Sequence, residues 1–235
     1  MISLQGILRC QQNRFVFRRR RPQEGGRLCP SNPASRGGKN CFGQGSKGVS
    51  TVMMVDGILT VDKPEDWTSH DVCAFIRKRF QIKKVGHAGT LDPLATGLLV
   101  ILLGRATKQS ITLSSCDKEY FGVMELGTKT DSHDRNGKIL ETAPWEAVTL
   151  EEVRDKARQF QGEISQVPPM VSALKHQGVR LYELARRGVH VPREARKVTV
   201  QSFLFEKKEG RYVHFSACVS KGTYLRTLVN DLGEA

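Results

Sequence analysis

The segment Val85-Gly86-His87-Ala88-Gly89-Thr90-Leu91-Asp92-Pro93-Leu94-Ala95-Thr96-Gly97 runs straight into an unbroken apolar stretch, Leu98–Leu103. That stretch has the length of a buried strand and falls far short of the roughly 20 residues of a membrane span. The loop before it is dense in glycine, so its shape is set by its backbone. It carries one carboxylate, Asp92, and one imidazole, His87. Pro93 restricts Asp92 to extended geometry, so Asp92 cannot lie inside a helix. From the residues alone two readings stand. Asp92 forms an Asx-type turn, or it is a carboxylate held on a rigid loop as a nucleophile or general base. His87 taken alone reads as a structural, hydrogen-bonding histidine.

The chain of 235 residues is long enough for one sizeable domain, or one domain with a small appendage. Its net charge of +13 is uneven: residues 1–50 carry +9 and the remainder +4. A mildly basic body suits a polyanion such as RNA, a trait shared with many unrelated proteins. Cys10, Cys29, Cys41, Cys73, Cys116 and Cys218 form no CxxC and no paired Cys/His spacing. That pattern predicts thiols in a reducing compartment and no zinc site.

Residues 1–50 are rich in Arg, Gly, Pro, Gln and Ser and show no apolar period, which predicts a disordered basic extension. Three readings of it compete: an Arg-rich, acid-poor organellar transit peptide, a basic arm on RNA phosphate, or an untranslated extension upstream of a start at Met53 or Met54.

The folded region begins near Asp56. Gly57–Asp62 reads as a strand, and Thr68 or Ser69 caps a helix running to about Phe80. Lys118–Leu126 reads as a strand, and Asp134-Arg135-Asn136-Gly137 as a hairpin turn before a strand near Ile139. Thr149-Leu150-Glu151-Glu152 is a capping box opening a helix to about Phe160. Gln166–Gly178 is loop, and Arg180–Arg187 is a short helix. Val198–Phe205 and Tyr212–Val219 pair across a turn at Glu209-Gly210. A last helix buries Leu225, Leu228, Val229 and Leu232. This mixture, without strict βαβ alternation, predicts an α+β domain on a mixed, mainly antiparallel sheet.

Several other segments invite chemistry. Lys221-Gly222-Thr223-Tyr224-Leu225-Arg226 feeds the last helix, where free N–H groups and two cations suit a phosphate, or it is an ordinary strand-to-helix turn. Asp131, Asp134 and Asn136 hint at a calcium loop, but their spacing favours a solvated hairpin. Tyr120 is a strand core residue or a stacking platform for a base. Gln177–Arg196 is basic through Arg180, Arg186, Arg187, Arg193 and Arg196, which makes it a solvated face or a grip on RNA.

Taken together, Val85–Gly97 and the Gly104-Arg105-Ala106-Thr107-Lys108 after it resemble the signature of the TruB family of tRNA pseudouridine synthases. Leu59–Pro64, Asp117–Tyr120, Gln166–Lys175, Val191–Arg196 and Cys218–Arg226 extend the resemblance, in the family's order, from about Asp56 to Ala235. It implies the pseudouridine synthase α+β fold and isomerisation of the T-loop uridine, position 55 of tRNA, to pseudouridine. By this resemblance Asp92 is the nucleophile, attacking the sugar C1′ or the base C6. Arg226 is the arginine that favours its ionised form. Tyr120 stacks on the flipped uracil, Tyr224 lines the pocket, and His87 helps extrude the base. Lys63 lies in the block supporting the catalytic loop, and Gln166–Arg196 matches a flap over the tRNA.

The resemblance further implies a monomer acting on the tRNA T-arm, with no metal, organic cofactor or membrane. Residues 56–235 correspond to the catalytic domain, expected to be C-terminally incomplete and without the family's small RNA-binding module. The extension at residues 1–50 suggests a chloroplast or mitochondrial member if it is a transit peptide, and a cytoplasmic one otherwise. Two other readings compete with this one. Dyskerin-type enzymes share the loop but work with guide RNA, and the intact Gln166–Arg196 block argues for the stand-alone type. A non-catalytic RNA-binding protein is disfavoured by Asp92, Tyr120 and Arg226 occurring together.

Overall fold

The computed structural model describes residues 2–8, as backbone, and residues 55–235. In chain order the first elements are β1 (Ile2–Leu8), β2 (Gly57–Lys63), α1 (Ser69–Phe80), β3 (Val85–His87), β4 (Thr96–Leu103), α2 (Ser110–Ser114) and β5 (Lys118–Glu125). There follow β6 (Thr128–Thr130), β7 (Ile139–Thr142), α3 (Leu150–Ala157), β8 (Gly162–Gln166), β9 (Lys175–His176) and β10 (Val179–Arg180). The last are α4 (Leu181–Arg186), β11 (Arg196–Glu209), β12 (Tyr212–Val219) and α5 (Leu225–Glu234).

The main sheet runs β2-β4-β1-β5-β12-β11-β8, with β3 also paired to β4. All of its pairings are antiparallel except β1 with β4. This is the α+β, mainly antiparallel architecture expected. The strand expected near Ile139 is β7, but it pairs with β6 as a separate two-stranded ribbon rather than with Lys118–Glu125, the turn being closed by the Gly137 N–H on the Asp134 carbonyl at 3.2 Å.

The apolar run explains the centre. In β4, Leu99, Ile101 and Leu103 join one core while Val100 and Leu102 join another on the opposite face. Both faces are covered, so the strand reads as continuous rather than alternating. The larger core receives Val72, Cys73 and Ile76 of α1, Val153 and Ala157 of α3, and Leu225, Leu228, Val229 and Leu232 of α5. Phe203, Phe205 and Phe215 meet there with ring centroids 4.7 to 5.9 Å apart. Each such ring buried contributes about 1.5–3 kcal/mol.

Of the two caps offered for α1, Thr68 and Ser69, the structure uses Thr68, and α3 starts at the capping box expected. Thr68 and Thr149 each accept from the N3 amide, and Asp71 and Glu152 bond back to the cap N–H.

Four differences from the sequence reading are local. Val85–His87, read as part of the loop, is strand β3. Gly162–Gln166, of which the sequence reading covers only Gln166, as loop, is an edge strand that among the described residues pairs with β11 alone. Lys175–His176 and Val179–Arg180 form a small hairpin inside the Gln166–Gly178 region and just beyond it. The fourth lies in the basic extension. Ile2–Leu8 is a strand, pairing with Lys118–Met124 along its whole length and touching Thr96 and Gly97. β4 and β5 do not pair with each other, so each presents an open row of N–H and C=O groups that β1 satisfies. The rest of the extension, with Cys10, Cys29, Cys41, Met53 and Met54, lies outside the described residues.

Candidate active site

The loop ahead of β4 is pinned on both sides of Asp92. Ser69, buried at the start of α1, donates its hydroxyl to the Leu91 carbonyl at 3.3 Å and accepts from the Leu91 N–H at 2.9 Å. The Pro93 carbonyl accepts from Lys63 Nζ and from the Asp66 N–H, both at 2.9 Å. Lys63 is fully buried, and its ammonium also donates to the carbonyls of Trp67 (2.6 Å) and Pro64 (2.9 Å). Burial pushes its pKa down, opposed by the carboxylates of Asp66, Asp92 and Asp71. Gly89 and Gly97 hold φ values of +147° and +110°, which side chains rarely adopt, so the loop turns on glycine at both ends.

Asp92 therefore stands on a fixed backbone, and its carboxylate is met by Arg226. Nε lies 2.7 Å from Oδ2 and Nη2 lies 3.3 Å from Oδ1. The same guanidinium donates to the Ser132 carbonyl through Nη1 (2.9 Å) and to the Val171 carbonyl through Nη2 (2.7 Å). Its side chain is 3% exposed and that of Asp92 38% exposed, so the pair has a dry cationic side and an open carboxylate side.

That open side faces a cavity of about 460 Å³. Asp92, Tyr120, Tyr224, Arg226 and His87 all line it, so five of the six expected site residues share one chamber. Lys63 does not line it and acts from behind, through Pro93. Tyr120 projects from β5; burial first, and then the Asp92 carboxylate, hold its phenol above the ordinary tyrosine value. It is thus a neutral ring at pH 7, suited to stacking rather than to carrying charge. Tyr224 is also raised, mainly by burial, and its ring lies 5.8 Å from the Arg226 guanidinium carbon. The Nδ1–H of His87 donates to the Gly89 carbonyl at 2.7 Å, the one role a carbonyl partner permits, so Nε2 of the neutral ring is an acceptor. Burial lowers the pKa of His87, which keeps that ring neutral near pH 7.

Other candidates resolve differently. Arg226 is not available to a phosphate at the start of α5, because Asp92 and two carbonyls occupy it; of the two cations there, Lys221 is the exposed one. Asp131 and Asp134 turn onto their own hairpin, accepting from the amides of Lys138 (2.9 Å) and Asn136 (3.0 Å). No group of three or more His, Cys, Asp or Glu side chains could hold a metal among the described residues. Of the basic run, Arg180, Arg186, Arg187 and Arg196 are exposed, while Arg193 donates to the Pro168 carbonyl at 2.9 Å. No described helix is long and apolar enough to cross a membrane.

The sequence gives neither Ser69 nor Gln166 a part in the site itself. Ser69 was visible only as a possible helix cap; its bonds to Leu91 cross 22 positions and have no local signature. Gln166 ends an edge strand whose partner lies 30 residues on, at Arg196.

The family model described as TruB family pseudouridylate synthase (N terminal domain) matches residues 77–225. The chain is 48% identical over 179 residues to a tRNA pseudouridine synthase B of Geotalea uraniireducens, covering 76% of this chain and 58% of that relative. It is 48% identical over 180 residues to the tRNA pseudouridine synthase B of Opitutus terrae, covering 77% and 75%. Among solved structures it is similar to a chain of a Cbf5-Nop10-Gar1 complex, with a TM-score of 0.58 and 31% identity over 76% of this chain and 44% of that one. A chain from an H/ACA RNP bound to a substrate RNA containing 2′-deoxyuridine gives a TM-score of 0.54 at 28% identity, covering 76% and 42%.

Proposed function

Because this chain belongs to the TruB family of pseudouridylate synthases, we propose that it isomerises the T-loop uridine at position 55 of tRNA, with Asp92 as nucleophile. The observation that carries this reading is the fixed Asp92–Arg226 pair opening onto a cavity walled by Tyr120 and Tyr224.

In the proposed reaction the N1–C1′ glycosidic bond breaks, the uracil turns, and a C5–C1′ bond forms. The proton on C5 leaves and N1 regains one, so substrate and product contain the same atoms and no co-substrate is consumed. Asp92 supplies the transient covalent bond, at C1′ or at C6. Arg226 pairs with the carboxylate through two N–H groups and aims it. The target base is stacked inside a folded loop, so it must leave the stack; Tyr120 offers its face to the extruded ring and His87 supports the extrusion. The exposed arginines at 180, 186, 187 and 196 suit the RNA backbone.

The test uses a transcribed tRNA T-arm with no guide RNA or added protein, and measures pseudouridine by mass spectrometry. Wild type is expected to modify the T-loop uridine. Asp92→Asn is expected to lose at least ~10³-fold in kcat while binding the T-arm normally. Turnover by the Asn variant at the wild-type rate removes Asp92 as nucleophile. A requirement for guide RNA turns the reading towards the guided class, and modification of some other uridine overturns the T-loop assignment.

A further inference from the structure

Gln166 is a polar side chain, 2% exposed, at the last position of edge strand β8. Its amide nitrogen donates to the Tyr224 carbonyl at 3.2 Å, and its amide oxygen accepts from the Tyr224 N–H at 2.8 Å. One side chain thus holds both polar groups of a single residue across 58 positions, as a neighbouring strand would.

The residue held is the N-cap of α5. Tyr224 makes no side-chain cap bond, and its carbonyl also accepts from the Leu228 N–H at 3.0 Å, in the first turn of the helix. Tyr224 walls the cavity, and Arg226, two residues on, grips Asp92. The segment leaving β8 returns to the same helix end at Val171, whose carbonyl accepts from Arg226 at 2.7 Å. Gln166 and Val171 therefore stitch one segment to the N-terminal end of α5 at two points, one of which bears directly on the Asp92 partner.

We infer that Gln166 is a positioning residue: it sets the start of α5 so that the Arg226 fork meets Asp92. It touches no reacting atom. This assignment rests on the proposed function and extends it to a residue outside the cavity. A displacement on the order of 1 Å at a catalytic pair is enough to lower a rate about 100-fold.

The experiment compares wild type, Gln166→Met and Gln166→Glu in the full chain, measuring kcat on the T-arm and T-arm affinity separately. Met keeps the length and loses both bonds. Glu, kept protonated by burial, keeps the acceptor for the Tyr224 N–H and offers one O–H to the Tyr224 carbonyl in place of the amide N–H. The expected order of kcat is wild type, then Glu, then Met, with Met down on the order of 10- to 100-fold and RNA affinity within threefold. The decisive readout is a cycle with Arg226→Lys. If Gln166 acts through Arg226, Gln166→Met costs less than about twofold in the Arg226→Lys background. Losses that simply multiply in the double variant mark general structural support and overturn the assignment. So does an affinity loss as large as the kcat loss, or a Gln166→Met variant with wild-type kcat. If wild type itself forms no pseudouridine, the proposed function falls and takes this role with it; an active wild type matched by Gln166→Met removes the positioning role alone.

Discussion

Arg226 and Asp92, 134 residues apart, close a two-pronged contact in which the cation is buried and the anion is open. The guanidinium serves four acceptors: both Asp92 oxygens and the carbonyls of Ser132 and Val171. A planar fork can reach that set, whereas a lysine ammonium is a point donor with three N–H groups. Arg226→Lys is therefore expected to lower kcat on the order of 100-fold although the charge is kept. Arg226→Met strands two carbonyls, each costing about 1–3 kcal/mol, so urea unfolding is expected to show lost stability as well. A Lys variant with unchanged kcat would show that charge alone suffices at this position.

Lys63 tests the backbone side of the same site. Its ammonium is wholly buried and donates to three carbonyls, one of them on Pro93 beside Asp92. Lys63→Met retains the stem and removes every donor. The Asp66 N–H still serves Pro93, but Pro64 and Trp67 lose a charged partner. The expected loss is about 2–4 kcal/mol in urea unfolding, since bonds to charged donors contribute about 1.5–3 kcal/mol each. A fall in kcat should accompany it, through a loosened loop. Unchanged stability would mean that the three carbonyls find other partners.

The parts legible in sequence were those written locally. Strand β4 declared itself by six adjacent apolar residues, α3 by a capping box, and the β11–β12 hairpin by alternation around Glu209-Gly210. Asp92 was visible as a candidate because Pro93 fixes its backbone, yet residue type could not separate a turn former from a nucleophile. What tipped the balance was the order of motifs, which carried Arg226 and Tyr120 into the reading by resemblance. Contacts made across the fold left no local trace. Gly162–Gln166 is polar enough to pass for loop and becomes a strand only because Arg196–Val200 lies beside it. Ile2–Leu8 sits in a basic, aperiodic stretch and is ordered by two open edges supplied from elsewhere.

Two half-buried histidines predict a pH dependence of stability. Burial, in each case the largest cause, lowers the pKa of His87 and of His133, and the Arg226 charge lowers His133 further. Below the ordinary histidine value of about 6.5 the unfolded chain takes up protons that the folded chain resists. The unfolded state then binds more protons, so stability rises with pH in that window and is lost as pH falls from about 6.5 towards the lowered folded values. Melting temperature should thus drop between pH 7 and pH 5. His87→Gln and His133→Gln should each flatten the drop, and the double variant should flatten it most. Slopes identical to wild type would mean that these two rings do not carry the effect.

The final prediction concerns the first strand. Tyr120 and Lys118, both lining the cavity, lie on β5 opposite Gly6 and Leu8 of β1. β12 covers the other edge of β5, so β1 completes the support of the strand that presents the stacking ring. Deleting residues 1–8 removes that ladder and opens an edge on β5 and part of one on β4. Each ladder bond contributes about 0.5–1.5 kcal/mol net, and an uncovered edge invites pairing with another chain. The shortened protein is expected to melt roughly 5–10 °C lower and to associate on concentration. Hydrogen exchange should quicken in Lys118–Glu125 while the β11–β12 hairpin keeps its protection. If exchange across β5 and the melting temperature both match wild type, the first strand contributes nothing to the sheet.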